Sequence, residues 1–177
     1  DRRGKSVIRQ AQSRIAVPYT GMIISTRESQ KSREKALQLG ISQISGASST
    51  SVGGYVEKET DENNTAQFDR SDTRTLDEVL NWLLELGYIP SFCTACYRQG
   101  RTGDRFMPLA KSGAIQNCCQ PNALLTLKEY LEDYASKDTK IKGDKVIAAE
   151  VKKIPNDKVR ETTIDYLDKI VHGSRDF

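Results

Sequence analysis

Thr20-Gly21-Met22-Ile23-Ile24-Ser25 and Ile41-Ser42-Gln43-Ile44-Ser45, joined by the stretch from Ser29 to Gly40, decide how the fold is read. The first apolar run is short, bounded by turn residues and does not alternate. That pattern predicts a fully buried parallel strand covered on both faces. Ser29 stands where an N-cap is needed, Ala36, Leu37 and Leu39 follow at helical positions, and Gly40 supplies the stop. Strand, helix, glycine and strand make a βαβ unit, so the two strands are expected to be parallel with a right-handed crossover. Two strands alone leave unpaired edges and an uncovered face. The unit therefore predicts an α/β fold in which this half is the end of a larger domain.

Outward from this unit the pattern changes. Upstream, Val7, Ile8, Ala11 and Ile15 predict an amphipathic helix over 5–16, broken by Pro18. Downstream, Gly46 to Tyr55 is rich in Ser, Thr and Gly, and 57–72 is polar and mostly acidic, as in an exposed loop. Thr75-Leu76-Asp77-Glu78 is a capping box opening a helix through Leu86, with Val79, Leu80, Trp82 and Leu83 as apolar positions and Gly87 as its end. Pro121-Asn122 is read as the start of a helix bearing Leu124, Leu127, Tyr130, Leu131 and Tyr134. Two further helices are expected over about 142–153 and, from an Asn156 cap, about 157–171.

The composition excludes several classes. A net charge of +3 on 177 residues is too small to point to nucleic acid or an anionic membrane. No apolar run approaches the roughly 20 residues that span a bilayer, and no signal peptide is evident. The chain opens on Asp-Arg-Arg-Gly rather than methionine, which suggests a piece of something longer. No Ser–His–Asp set, phosphate loop or dinucleotide fingerprint is present. His172, the single histidine, precedes Gly173 and reads as a helix-end residue favoured by the dipole.

The chemistry-bearing pattern is elsewhere. All four cysteines lie between Cys93 and Cys119: Cys93-Thr94-Ala95-Cys96, then Cys118-Cys119. Clustered cysteines in a chain of this size do not resemble a secreted disulfide framework, and a reducing cytoplasm fits better. Cys93 and Cys96 can turn two thiolates toward one centre, with Cys119 as a third corner. Three thiolates leave one iron of a 4Fe–4S cube open to another ligand. Arg98, Arg101, Arg105 and Lys111, against the single acid Asp104, would stabilise an anionic cluster. The rivals are a four-thiolate zinc site that includes Cys118, a redox C-x2-C, and buried thiols without a ligand. Ser25, Thr26 and Arg27 follow the first strand, where α/β folds gather ligands, and Arg27 could clamp a substrate carboxylate. The bland alternative is a surface arginine beside turn-forming hydroxyls.

Several blocks carry a resemblance. Pro18 through Glu28, Ser42-Gln43-Ile44-Ser45-Gly46, Ser51-Val52-Gly53-Gly54-Tyr55, Gln67-Phe68-Asp69 through Leu86, and Cys93 through Tyr134 resemble the carboxyl-terminal part of a known family. It is the family of radical S-adenosylmethionine tyrosine lyases that mature the H-cluster of [FeFe]-hydrogenase. That family's carboxyl-terminal signature is C-x2-C-x22-C, which Cys93, Cys96 and Cys119 match and Cys118 does not.

The resemblance implies a (βα)8 TIM barrel whose last βα units occupy 1–56, a loop over 57–72, and a mainly helical auxiliary-cluster domain over 73–177. It implies an auxiliary 4Fe–4S cluster on Cys93, Cys96 and Cys119 carrying an additional labile iron. In the complete enzyme it implies a second 4Fe–4S cluster on C-x3-C-x2-C that cleaves S-adenosylmethionine. Tyrosine is then split to p-cresol and dehydroglycine, the source of the carbon monoxide and cyanide of an iron synthon. Arg27 and Ser25 would hold the carboxylate of tyrosine or S-adenosylmethionine. The implied partners are the missing amino-terminal half and other hydrogenase maturation proteins. This sequence has no C-x3-C-x2-C, so the chain alone is expected to be inactive. The alternative reading is a zinc-stabilised structural or docking module without catalysis.

Overall fold

The computed structural model describes residues 9, 11–13, 15–17, 21–49, 71–93, 98–100 and 105–175. These divide into two compact units, Asp1–Leu76 and Asp77–Phe177. Cys96, Arg101, Asp104, Pro18 to Thr20, Ser51 to Tyr55, Gln67 to Asp69 and the expected loop up to residue 70 lie outside the described residues.

In the first unit the described residues of 9–16 are helical. The βαβ unit then forms as β1 (Ile23–Ile24), α1 (Gln30–Gln38) and β2 (Gln43–Ile44). The strands are parallel, with Ile23 opposite Gln43 and Ile24 opposite Ile44. Ser29 caps α1 by accepting the Ser32 N–H at 3.3 Å, and Gly40 takes φ +85°, a conformation that disfavours any side chain. Ile24, Ala36 and Ile41 form a small core, with Met22 and Ile44 packed against it.

The expectation of a strand buried on both faces is corrected. Ile24 is 1% exposed but Ile23 is 67% exposed, because α1 covers one face of the sheet and no described residue covers the other. The structure also adds an element that apolar patterning cannot show. Arg33 is fully buried, and its guanidinium pairs with Asp72 and donates to the Ser45 carbonyl. Asp72, at the end of the stretch read as an exposed loop, is itself buried.

The second unit is helical: α2 (Leu76–Glu85, its first residue across the boundary), α3 (Met107–Lys111), α4 (Ile115–Asp133), α5 (Lys137–Glu150), a 3-10 turn (Val151–Lys153) and α6 (Asp157–Val171). Its core is Leu84 of α2, Leu124, Leu127 and Leu131 of α4, and Ile147, Val151 and Ile154. Two starts differ from expectation. Helix α4 begins at Ile115, so Pro121 lies inside it. A proline there removes one helical N–H, and the packing of Leu124, Leu127 and Leu131 carries the helix through it. Helix α5 begins at Lys137 under a Ser136 cap, so Gly143 is internal. A Cβ at Gly143 would stand 2.4 Å from Leu131 Cδ1, so a side chain there would displace the buried Leu131. Asn156 caps α6 as expected, accepting the Val159 N–H at 3.0 Å, and His172 ends the helix. Among the described residues no helix is long and apolar enough to cross a membrane.

Candidate functional site

The second unit carries a cleft of about 520 Å³ between the start of α4, the segment entering Cys93 and the end of α5. Ile89, Ser91, Cys119, Ala123, Glu150 and Lys153 are among its lining residues. The beginning of α4 fixes Cys119 there, half-buried, while Cys118 on the adjoining face is exposed. Gln120 ties the two walls together, donating from Nε2 to the Glu150 carbonyl at 3.0 Å. Asn117 adds a second tie by accepting the Asn156 N–H at 3.2 Å.

The segment carrying Cys93 is anchored to the same helix. Ile89 packs against the core, and Phe92 stacks on Tyr130 of α4 with ring centroids 5.3 Å apart and planes 18° apart. Offset aromatic pairs of this kind add about 0.5–1.5 kcal/mol beyond the area they bury. Between these two anchors Ser91 faces the cleft, and its Oγ accepts the Cys93 N–H at 3.3 Å. The cysteine entry is thus held on α4 rather than left as a loose loop.

The structure places Cys93 at an exposed position directly after a cleft-lining serine, and Cys119 in the cleft wall. Cys96 is outside the described residues. Among the described residues no group of three or more Cys, His, Asp or Glu side chains could hold a metal ion. Cysteine sulfur is a soft donor, and the two cysteines come from two segments, Cys119 from α4 and Cys93 from the stretch braced against it. Arg98, Arg105 and Lys111 are exposed.

In the first unit Ser25 and Arg27 are exposed, just beyond β1, and Ser25 Oγ accepts the Arg27 N–H at 3.1 Å. Between them Thr26 is buried, and its carbonyl accepts the N–H groups of Ser71 and Asp72 at 3.1 and 3.0 Å. Asp72 also takes Nε and Nη2 of Arg74 at 2.8 and 2.6 Å. Hydrogen bonding from Arg74, followed by the charge of Arg33, outweighs burial and holds the Asp72 carboxyl down at about 2. These residues fix the turn that carries Arg27. Sequence reading missed Arg33 and Asp72, since their charge suggests a surface and only the contact across 39 positions reveals the pair.

Comparison with known proteins agrees with this architecture. A profile for the Biotin and Thiamin Synthesis associated domain matches residues 9–89. The crystal structure of HydG, a maturase of the [FeFe]-hydrogenase, superposes with a TM-score of 0.80 and 54% sequence identity over 93% of this chain. The chain belongs to the HydG family. It corresponds to a carboxyl-terminal portion of HydG and spans 35% of the length of that solved chain. No match was found among curated proteins.

Proposed function

We propose that this chain is the auxiliary-cluster-bearing part of a radical S-adenosylmethionine tyrosine lyase that makes carbon monoxide and cyanide for the [FeFe]-hydrogenase H-cluster. The observation that carries the reading is the 54% identity to HydG over 93% of the chain, with Cys119 in the wall of a cleft. Cys93, Cys96 and Cys119 hold a 4Fe–4S cluster through three thiolates. That cluster, with its labile iron, supplies when bound an open metal position for diatomic ligands. The chain's own part is to fix the thiolates: α4 sets Cys119, and Phe92 on Tyr130 sets the entry to Cys93.

The last βα portion of the TIM barrel occupies 1–56, with its open sheet face at Ile23, followed by a loop over 57–72 and a helical domain over 73–177. Arg27 and Ser25 at the end of β1 hold the carboxylate of tyrosine or S-adenosylmethionine, the guanidinium by paired N–H donors. The rest of the enzyme supplies the second cluster and S-adenosylmethionine, and the whole works in the cytoplasm with other maturation proteins. Separate replacement of Cys93, Cys96, Cys119 and Cys118 by alanine tests this. Iron loading after anaerobic reconstitution falls away in the first three and persists in Cys118→Ala. Retention in Cys119→Ala with loss in Cys118→Ala reverses the assignment.

A further inference from the structure

The ligand set proposed above leaves out Cys118. We propose that Cys118 and Cys119 together form a two-thiolate site for a single thiophilic divalent cation, Fe²⁺ or its competitor Zn²⁺. The site is separate from the C-x2-C pair but shares Cys119 with the cluster. This consequence rests on Cys119 being a cluster ligand, while the ion site itself does not.

The geometry is specific. The two sulfurs are 3.7 Å apart. With metal–sulfur bonds of about 2.3 Å, that separation subtends about 107° at a bound ion, close to the tetrahedral angle that zinc prefers. Adjacent cysteines commonly diverge, but here both side chains turn toward one another on the first turns of α4. The sulfur separation already matches that of two thiolates on one ion. Cys118 Sγ lies 3.4 Å from the Ala114 carbonyl and 3.9 Å from that of Ile115, which orients the sulfur along the helix. Cys118 is exposed, so water reaches the ion and completes its coordination, and Cys119 opens on the cleft. Binding breaks two S–H bonds, forms two metal–sulfur bonds and releases two protons to water, without electron transfer. Soft thiolates select ions of this class over Mg²⁺ or Ca²⁺. An ion held here occupies Cys119, so Zn²⁺ at this site blocks cluster assembly, and Fe²⁺ there must surrender Cys118 to Cys93 or Cys96.

The experiment uses the 177-residue chain, reduced and anaerobic, carrying Cys93→Ser and Cys96→Ser so that only the vicinal pair remains. Titration with Cd²⁺ alone, read by ultraviolet cadmium–thiolate absorption, is expected to saturate at one ion per chain with the intensity of two thiolates. Adding Cys118→Ser should weaken binding beyond the about 10–100-fold that loss of an outer-sphere partner costs. Circular dichroism confirms that the helices are retained. Unchanged affinity and absorption after Cys118→Ser overturn the proposal, as does failure of the pair to bind Cd²⁺ at all. A second arm preloads the native-cysteine chain with Zn²⁺ before adding iron and sulfide. Reconstitution is expected to slow in the native chain and less so in Cys118→Ala, and equal slowing contradicts the shared-ligand consequence. Cd²⁺ binding by the pair in a protein that never assembles a cluster would leave this site standing and sink the cluster reading alone.

Discussion

Replacing Asp72 by alanine should open the first unit. Arg33 is fully buried and keeps only the Ser45 carbonyl of the partners described above once the carboxylate is gone. Removing one partner of a buried ion pair costs about 3–5 kcal/mol. At 1.36 kcal/mol per decade, that raises the opening equilibrium by about 160- to 5,000-fold, capped by the unit's own stability. Arg74 is partly exposed and can turn to water, so its loss of Asp72 adds little. Hydrogen exchange read by mass spectrometry is the assay. The amides of Ser45 and Ser71, bonded to the carbonyls of Ile24 and Thr26, are the reporters, with α4 as an internal control.

Acid gives an independent check on the same pair. The Asp72 carboxyl is pulled from 3.8 to about 2. Its contribution is fully present above the unfolded value, worth about 2 kcal/mol, and is lost as pH falls through about 2. The double replacement Arg33→Met with Asp72→Leu removes both charges and should restore most of the protection. A fall in protection of less than about tenfold in Asp72→Ala, about 1.4 kcal/mol, would refute the reasoning, as would a double variant no better protected than the single.

Three further outcomes are expected. In the full-length enzyme, Arg27→Ala should raise KM for tyrosine or for S-adenosylmethionine, and unchanged kinetics with both would remove Arg27 from the site. Gly143→Val should lower stability by about 1–3 kcal/mol through overpacking against Leu131, seen as a lower urea midpoint without a changed slope. Given reductant, S-adenosylmethionine and tyrosine, this chain should form no p-cresol, because its four cysteines include no C-x3-C-x2-C; product detected by chromatography would show the cysteine assignment to be wrong.

Much of the local structure was legible because it follows local chemistry. Ser29, Gly40, Asn156 and Gly87 mark element ends that any chain with those residues would favour. The missed features depend on distant partners. Pro121 reads as a helix start because proline is favoured at N1, yet tertiary packing extends α4 back to Ile115. Gly143 and Lys137 hide the true start of α5, since the apolar pattern begins later than the Ser136 cap. Ile23 looks like a core residue, but its exposure depends on what lies over the sheet. At the site, the match to the family's C-x2-C-x22-C signature picked out Cys119 over Cys118, while the cleft that Cys119 lines was not legible. The 3.7 Å approach of Cys118 depends on rotamers, which a run of letters does not carry.

The central claim is that the cysteines build an iron–sulfur cluster with an open iron rather than a zinc site. Metal and sulfide analysis of the anaerobically reconstituted chain, followed by electron paramagnetic resonance of the dithionite-reduced protein with and without cyanide, tests it most directly. The account predicts about four irons and four sulfides per chain and a cluster spectrum that shifts on adding cyanide, with Cys118 present or replaced by alanine. One tightly held zinc per chain, no acid-labile sulfide and no such spectrum would contradict it.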